Sequence, residues 1–393
     1  MSSRAIVLWL AGLDLRLTLL AVPPVMLAIH RDLHLNATGV ARVTNLPVLM
    51  LAGSSIFGSL LVSRIGARRA LVAGMWVIAI SSGLRGAGPS LAMLLAATFV
   101  MGLGIALIQP TFPTLAREWF PTRVAFATGI WSNALLAGEA IAASLTLPLV
   151  IPLVRGSWSA SFAVWGAIVA LTAIAVGFLL RGEAPVETPQ SRTWVPNFRD
   201  RRVWEIGLLQ AAASAAYFGA NAFMPDYLNA KGEPGLVFAV LTALNVGQLP
   251  ATFALGFLPA RALARPEPSL AIAALLAVSI VAFVRFDGPG EVVAAAAIGF
   301  CGAYVLALSF ALPPLLAPAG EVARTSAGVF TIGYSVAFLG SLLSGAAWDA
   351  THVPAVAFAQ FAAAVALVGV CGPLLAERVR RSLAGGSLTT AKS

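Results

Sequence analysis

The sequence predicts an all-α polytopic membrane protein with twelve transmembrane helices in two pseudo-symmetric six-helix halves. Three observations predict it. Of 393 residues, 59% are hydrophobic and only 10% are charged, with a mean hydropathy of +0.89. A soluble domain carries roughly a quarter charged residues to wet its surface, so lipid is the expected solvent here. The apolar runs continue for about twenty residues, the length an α-helix needs to cross a bilayer, and they do not alternate as barrel strands do. Basic residues gather in the short polar stretches between the runs and favour alternate ones.

The runs follow in order. The first, 5–29, contains "LWLAGLDLRLTLLAVPPVML"; after "MSSRA" it continues far past the core of a cleavable signal and is expected to remain as a spanning helix. The second, 38–61, carries "TNLPVL" and leads into the basic loop "SLLVSRIGARRAL" ahead of the third, 69–87. The fourth, 90–115, holds "GLGIALIQPTFP"; the fifth, 124–153, holds "ATGIWSNALLAG"; the sixth is 158–180. The longest polar stretch, "RGEAPVETPQSRTWVPNFRDRR", follows at 181–202. Beyond it lie 204–228, 235–259, 268–285, 291–317, 325–348 and 353–376.

Residues 1–180 are therefore read as an N-terminal half, 181–203 as the connecting loop, and 204–393 as a C-terminal half with a short tail. The halves are weakly self-similar. The tenth run, "GFCGAYVLALSFALPP", repeats the fourth in placing glycines first and prolines last, and the eleventh, "SAGVFTIGYSVAFLG", echoes the fifth. Of the 25 Lys and Arg, eighteen fall on the side of the termini, six (Arg85 among them) on the other, and Arg16 within the membrane. Both termini are thus expected in the cytoplasm of a bacterial inner membrane. The net charge of +9 then answers anionic headgroups; no basic domain outside the membrane is left to bind nucleic acid.

Two related halves joined by a cytoplasmic loop match the architecture of major facilitator carriers, and local motifs agree. "SRIGARR" resembles that superfamily's cytoplasmic D-R-x-G-R-[RK] signature, with Arg64, Gly66, Arg68 and Arg69 in place and Ser63 standing for the Asp. The resemblance implies a cytoplasmic gate at these residues. The fourth-helix arginine of many proton-coupled members is replaced by Thr98. Within the superfamily the chain resembles the cyanate and 2-nitroimidazole carriers. "LAGLDLR" is similar to L-x-G-L-N-x-R, with Asp14 for Asn, and "TNLPVL" to T-x-L-P-V. "GIWSNAL" is similar to G-L-W-S-x-A-L, "AFMPDY" to W-L-P-x-[FY], and "GFCGAYVL" to G-x-x-G-A-F-P-L. "LNVGQ" keeps Gly247 and Gln248. These matches imply a substrate site drawing on Arg16, Trp131, Tyr217, Gln248 and Tyr304.

Buried polar residues give the same region from physical chemistry. A charge at the centre of a spanning helix costs about 2.5–3.5 kcal/mol on insertion scales, so Arg16 must face protein or a watery cavity. It is read as an anion anchor, its forked donors suiting a small carboxylate-like or cyanate-like ion, or as one half of a permanent ion pair. Asp14, roughly 200° around the helix from Arg16, either pairs with a polar group between helices or takes up a coupling proton. Glu139, deep in the fifth run, is either the partner of a buried base such as Arg16 or a second protonatable site. Asn45, Gln109 and Asn133 complete the candidate polar lining.

Nothing in the sequence points to covalent chemistry. The three His lack zinc spacing, Cys301 and Cys371 sit apart in apolar runs, and no phosphate loop, nucleophile elbow or dinucleotide fingerprint occurs. No cofactor or metal is expected, and no enzyme. The expected function is secondary transport of a small anion by alternating access, with or without a proton, by a monomer in the bilayer. The alternative is export of small aromatic or heterocyclic compounds such as nitroimidazoles, in which Trp131 and Tyr217 would matter more than Arg16.

Overall fold

The computed structural model describes residues 2–34, 37–88, 90–181, 193–257, 260–318 and 320–390. Residues 182–192, most of the predicted connecting loop, and Lys392 of the tail lie outside the described residues. Several helix starts carry small polar caps that satisfy otherwise unpaired first-turn N–H groups. Ser2 accepts from Ala5 N, Ser90 from Met93 N, Ser157 from Ala160 N and Asp200 from Arg202 N.

The N-terminal helices are α1 (Ser3–Leu17), α2 (Val22–Leu33), α3 (Ala37–Ile65), α4 (Ala67–Leu84), α5 (Leu91–Ile108), α6 (Thr111–Trp119), α7 (Val124–Leu145), α8 (Ile151–Leu153) and α9 (Trp158–Leu179). They are followed by α10 (Arg201–Lys231), α11 (Val237–Phe257), α12 (Ala260–Leu263), α13 (Glu267–Arg285), α14 (Pro289–Leu316), α15 (Val322–Thr351) and α16 (Ala359–Thr390). Among the described residues, ten helical stretches are long and apolar enough to span on composition alone. The remaining two of the twelve spans are α3, apolar over Leu49–Ile65, and α10, long enough at 31 residues but carrying Arg201, Arg202 and Glu205 at its start.

Several predicted spans differ in detail. The first is two helices, broken at Thr18–Ala21 ahead of Pro23 and Pro24, which have no N–H to return to the preceding turn. The fourth breaks at Gln109 and Pro110 for the same reason. The fifth passes through a wide π turn at Thr146–Val150, around Pro148. The twelfth opens with a 3₁₀ turn at Pro354–Phe358 and runs on to Thr390, beyond the predicted end at 376.

The chain forms two compact units. One comprises Met1–Pro121, Ile130–Pro196 and Ala319–Ala327; the other comprises Thr122–Gly129, Asn197–Pro318 and Gly328–Ser393. They depart from a division at the central loop in two short stretches, at the start of the fifth span and at the start of the eleventh. Helix pairing repeats between the units. In the first, α3 packs on α5, α4 on α5 and α9, and α1 on α9. In the second, α11 packs on α14, α13 on α14 and α16, and α10 on α16. Taken in order of spans, these are the same pairs, so the two halves are pseudo-symmetric copies of one six-helix plan.

Candidate functional site

In the first unit the break between α1 and α2 organises the polar residues. Arg16 stands in the last turn of α1, where unpaired carbonyls favour a cation, and is 5% exposed. Glu139 on α7 is equally buried and interacts electrostatically with Arg16. Close approach of the two helices makes this possible. A Cβ on Gly12 would lie 2.6 Å from the Trp131 carbonyl oxygen, and one on Gly138 would collide with the backbone of Leu13. Glycine at both positions lets the backbones touch; Arg16 follows Gly12 by about one turn, and Glu139 is the residue after Gly138.

Asp14 is fully buried on another side of α1, where Thr172 of α9 donates its hydroxyl to Oδ2. Its Oδ1 has no hydrogen-bond partner among the described residues. Trp131, expected at the substrate, has no exposed surface and packs its ring on Phe112 at 5.0 Å between centroids. Gln109 is buried at the α5/α6 break and Asn133 is buried on α7. Asn45 falls within α3, but its side chain lies outside the described residues.

In the second unit the structure gathers Tyr217 of α10 with Asn245 and Gln248 of α11. The Tyr217 hydroxyl lies 3.5 Å from Asn245 Oδ1, which also accepts from Gln248 Nε2 at 3.0 Å. Asn245 had not been singled out in the sequence, although its i, i+3 spacing from Gln248 places both on one helix face. Tyr304 does not join them. It lines a narrow cleft with Leu308 of its own helix, Ser269 of α13, and Gly372 and Ala376 of α16.

The basic motif around Gly66 forms a one-residue connection between α3 and α4. Gly66 bridges them at φ +80°, a conformation that side-chain-bearing residues rarely adopt. Arg64 and Arg69 are exposed, Ser63 donates back to the Leu60 carbonyl, and Arg68 stands over the Trp119 ring at 5.7 Å. One basic residue is far from its expected place. Arg85, counted with the outer loops, is fully buried at the end of α4.

Residues 5–341 match the family model described as Major Facilitator Superfamily. The chain belongs to this superfamily. It is 27% identical to the cyanate transport protein CynX of Escherichia coli (strain K12) over 353 residues, covering 86% of this chain and 88% of that one. It is 31% identical to the 2-nitroimidazole transporter of the same strain over 137 residues, 35% of each. The fold is that of solved members of the superfamily. The transporter FucP in its outward conformation superposes with a TM-score of 0.73 over 97% of this chain and 99% of that one, at 12% identity. The proton:xylose symporter XylE gives 0.68 over 95% and 94%, at 13% identity. As a superfamily member of multi-pass helical architecture, the chain is a small-molecule transporter of the membrane, not an enzyme.

Proposed function

We propose that the chain moves a small anion, cyanate-like or a small organic anion, across the bacterial inner membrane by alternating access, with both termini cytoplasmic and Arg16 as anion anchor. The observation that carries this reading is a nearly enclosed guanidinium in the last turn of a broken spanning helix, beside Glu139. A charge so placed is costly, and a carrier that strips water from a small ion midway across needs a fixed charge to replace it. The extended similarity to a cyanate transport protein supports the same class. Glu139 neutralises Arg16 in the absence of substrate, and an arriving anion competes with it. Asp14, held by Thr172, and Glu139 are the carboxylates at which proton coupling would act.

Export of heteroaromatic compounds is the second reading. The 31% identity to a 2-nitroimidazole transporter supports it, while the enclosure of Trp131 against Phe112 counts against a stacking surface there. Uptake of labelled cyanate, small carboxylates and nitroimidazoles into proteoliposomes, by wild type and Arg16→Gln, separates the two. The proposal predicts that wild type takes up an anion and that Arg16→Gln loses the uptake. Transport of uncharged heterocycles alone, or of an anion equally by both proteins, would replace it with the export reading.

A further inference from the structure

Arg85 caps the C-terminus of α4 and is 0% exposed. Its Nη1 donates to the carbonyl of Thr18, in the α1/α2 break, at 2.8 Å and approaches Met101 Sδ of α5 at 3.3 Å. The guanidinium carbon lies 4.3 Å from the centroid of the Phe162 ring on α9. The break and three helices of one unit therefore converge on this side chain. Its other edge is unused: among the described residues Nε and Nη2 have no hydrogen-bond partner, and no carboxylate pairs with it. A buried charge left without a partner is strongly unfavourable.

Two hydroxyls share this condition. Thr18 Oγ1, on the residue whose carbonyl Arg85 holds, and Thr98 Oγ1, one helical turn before Met101 on α5, are buried without a hydrogen-bond partner. Each can donate one proton, and the free guanidinium edge adds parallel N–H groups. The two side chains that contact the guanidinium, Phe162 and Met101, are apolar and polarizable. Such surroundings penalise strongly hydrated, multiply charged ions and suit a small anion that releases its water readily.

We propose that Arg85, Thr18 and Thr98 form a second, buried anion site that takes a small, weakly hydrated monovalent anion at the α1/α2 break. It differs in kind from the Arg16 site, because Arg16 has Glu139 within reach whereas Arg85 has no acid paired with it among the described residues. It does not rest on the Arg16 reading. Occupancy would complete the coordination of the guanidinium that holds the broken helix, so the anion stabilises the folded chain.

The test is thermal unfolding of the full-length purified protein titrated with sodium bromide and sodium nitrate, with sodium gluconate at matched ionic strength as reference. Wild type, Arg16→Gln, Arg85→Gln and Thr98→Val are compared. Wild type and Arg16→Gln are expected to show saturable stabilisation by bromide and nitrate beyond gluconate. Arg85→Gln is expected to lose it, and Thr98→Val to weaken the apparent Kd about tenfold, the effect of one lost hydrogen bond to a charged ligand. Thr98→Val keeps the side-chain shape and decides the matter if Arg85→Gln does not fold. Absence of a saturable response in wild type, its loss in Arg16→Gln, or an unchanged response in Thr98→Val or Arg85→Gln would overturn the proposal.

Discussion

Replacing Gly12 with Ala tests whether contact between α1 and α7 sets the position of Arg16. The new Cβ would stand 2.6 Å from the Trp131 carbonyl oxygen and 3.2 Å from Ala134 Cβ, and the nearest atom belongs to the backbone, which cannot rotate away. The helices must separate by somewhat under about 1 Å to restore ordinary contact, a form of overpacking that costs roughly 1–3 kcal/mol. At about 2–4 °C per kcal/mol for a unit of this size, Tm should fall by roughly 2–12 °C. The separation also loosens Arg16 from Glu139, so the response to a stabilising anion should change along with Tm. Gly177→Ala on α9 is the control. A Cβ there meets nothing within 4 Å, and exchanging Gly for Ala in a helix gains up to about 1 kcal/mol. The assay is unfolding of the purified proteins followed by tryptophan fluorescence. A Gly12→Ala protein as stable as Gly177→Ala would refute the close-contact reasoning.

Further outcomes follow from other parts of the structure. Thr172→Val removes the hydroxyl that Asp14 accepts and leaves a buried carboxylate short of a partner; a loss of about 1–3 kcal/mol is expected in denaturant or thermal unfolding, and no loss would mean Asp14 finds another partner. Gly66→Ala forces a side chain into a backbone at φ 80° and ψ 156°, a region essentially reserved for glycine; about 1–3 kcal/mol of destabilisation is expected in thermal unfolding, and it comes from the backbone, because nothing lies within 4 Å of the added Cβ. Burial alone would raise the Asp200 carboxyl, but hydrogen bonds and charge from Arg202, with Arg378 further off, outweigh it and hold the group below its ordinary value. Its stabilising contribution is therefore present above about pH 4 and lost as pH falls through the lowered pKa. A pH series of Tm should show this acid loss in wild type and less of it in Asp200→Asn.

The membrane class and the six-plus-six plan could be read from hydropathy, because lipid demands continuous apolar runs and the chain has few charges to spend elsewhere. Superfamily membership was readable too, from short motifs spread in order along the chain. Helix breaks were harder. Pro23, Pro24 and Pro110 are visible in the sequence, yet whether a proline bends or splits a spanning helix depends on what its neighbours offer the freed carbonyls. Here Arg85 serves the Thr18 carbonyl where α1 ends, and nothing local in "GLRGAGP" distinguishes a buried guanidinium from a loop arginine. Thr172 could not be foreseen as the partner of Asp14 because the two are 158 residues apart. Trp131 matched a family motif, but burial against Phe112 is a property of packing, to which a motif is blind. Asn245 was within reach: its spacing from Gln248 alone puts two polar amides on one face of α11.

The central claim is that Arg16 anchors a transported anion. Counterflow of labelled cyanate and of small labelled carboxylates into proteoliposomes would measure it, with wild type, Arg16→Gln and Arg16→Lys side by side. Saturable uptake of one of these anions by wild type, abolished in Arg16→Gln and partly kept in Arg16→Lys, is the expected result. Equal uptake by wild type and a correctly folded Arg16→Gln protein would contradict the claim and leave Arg16 as a structural partner of Glu139.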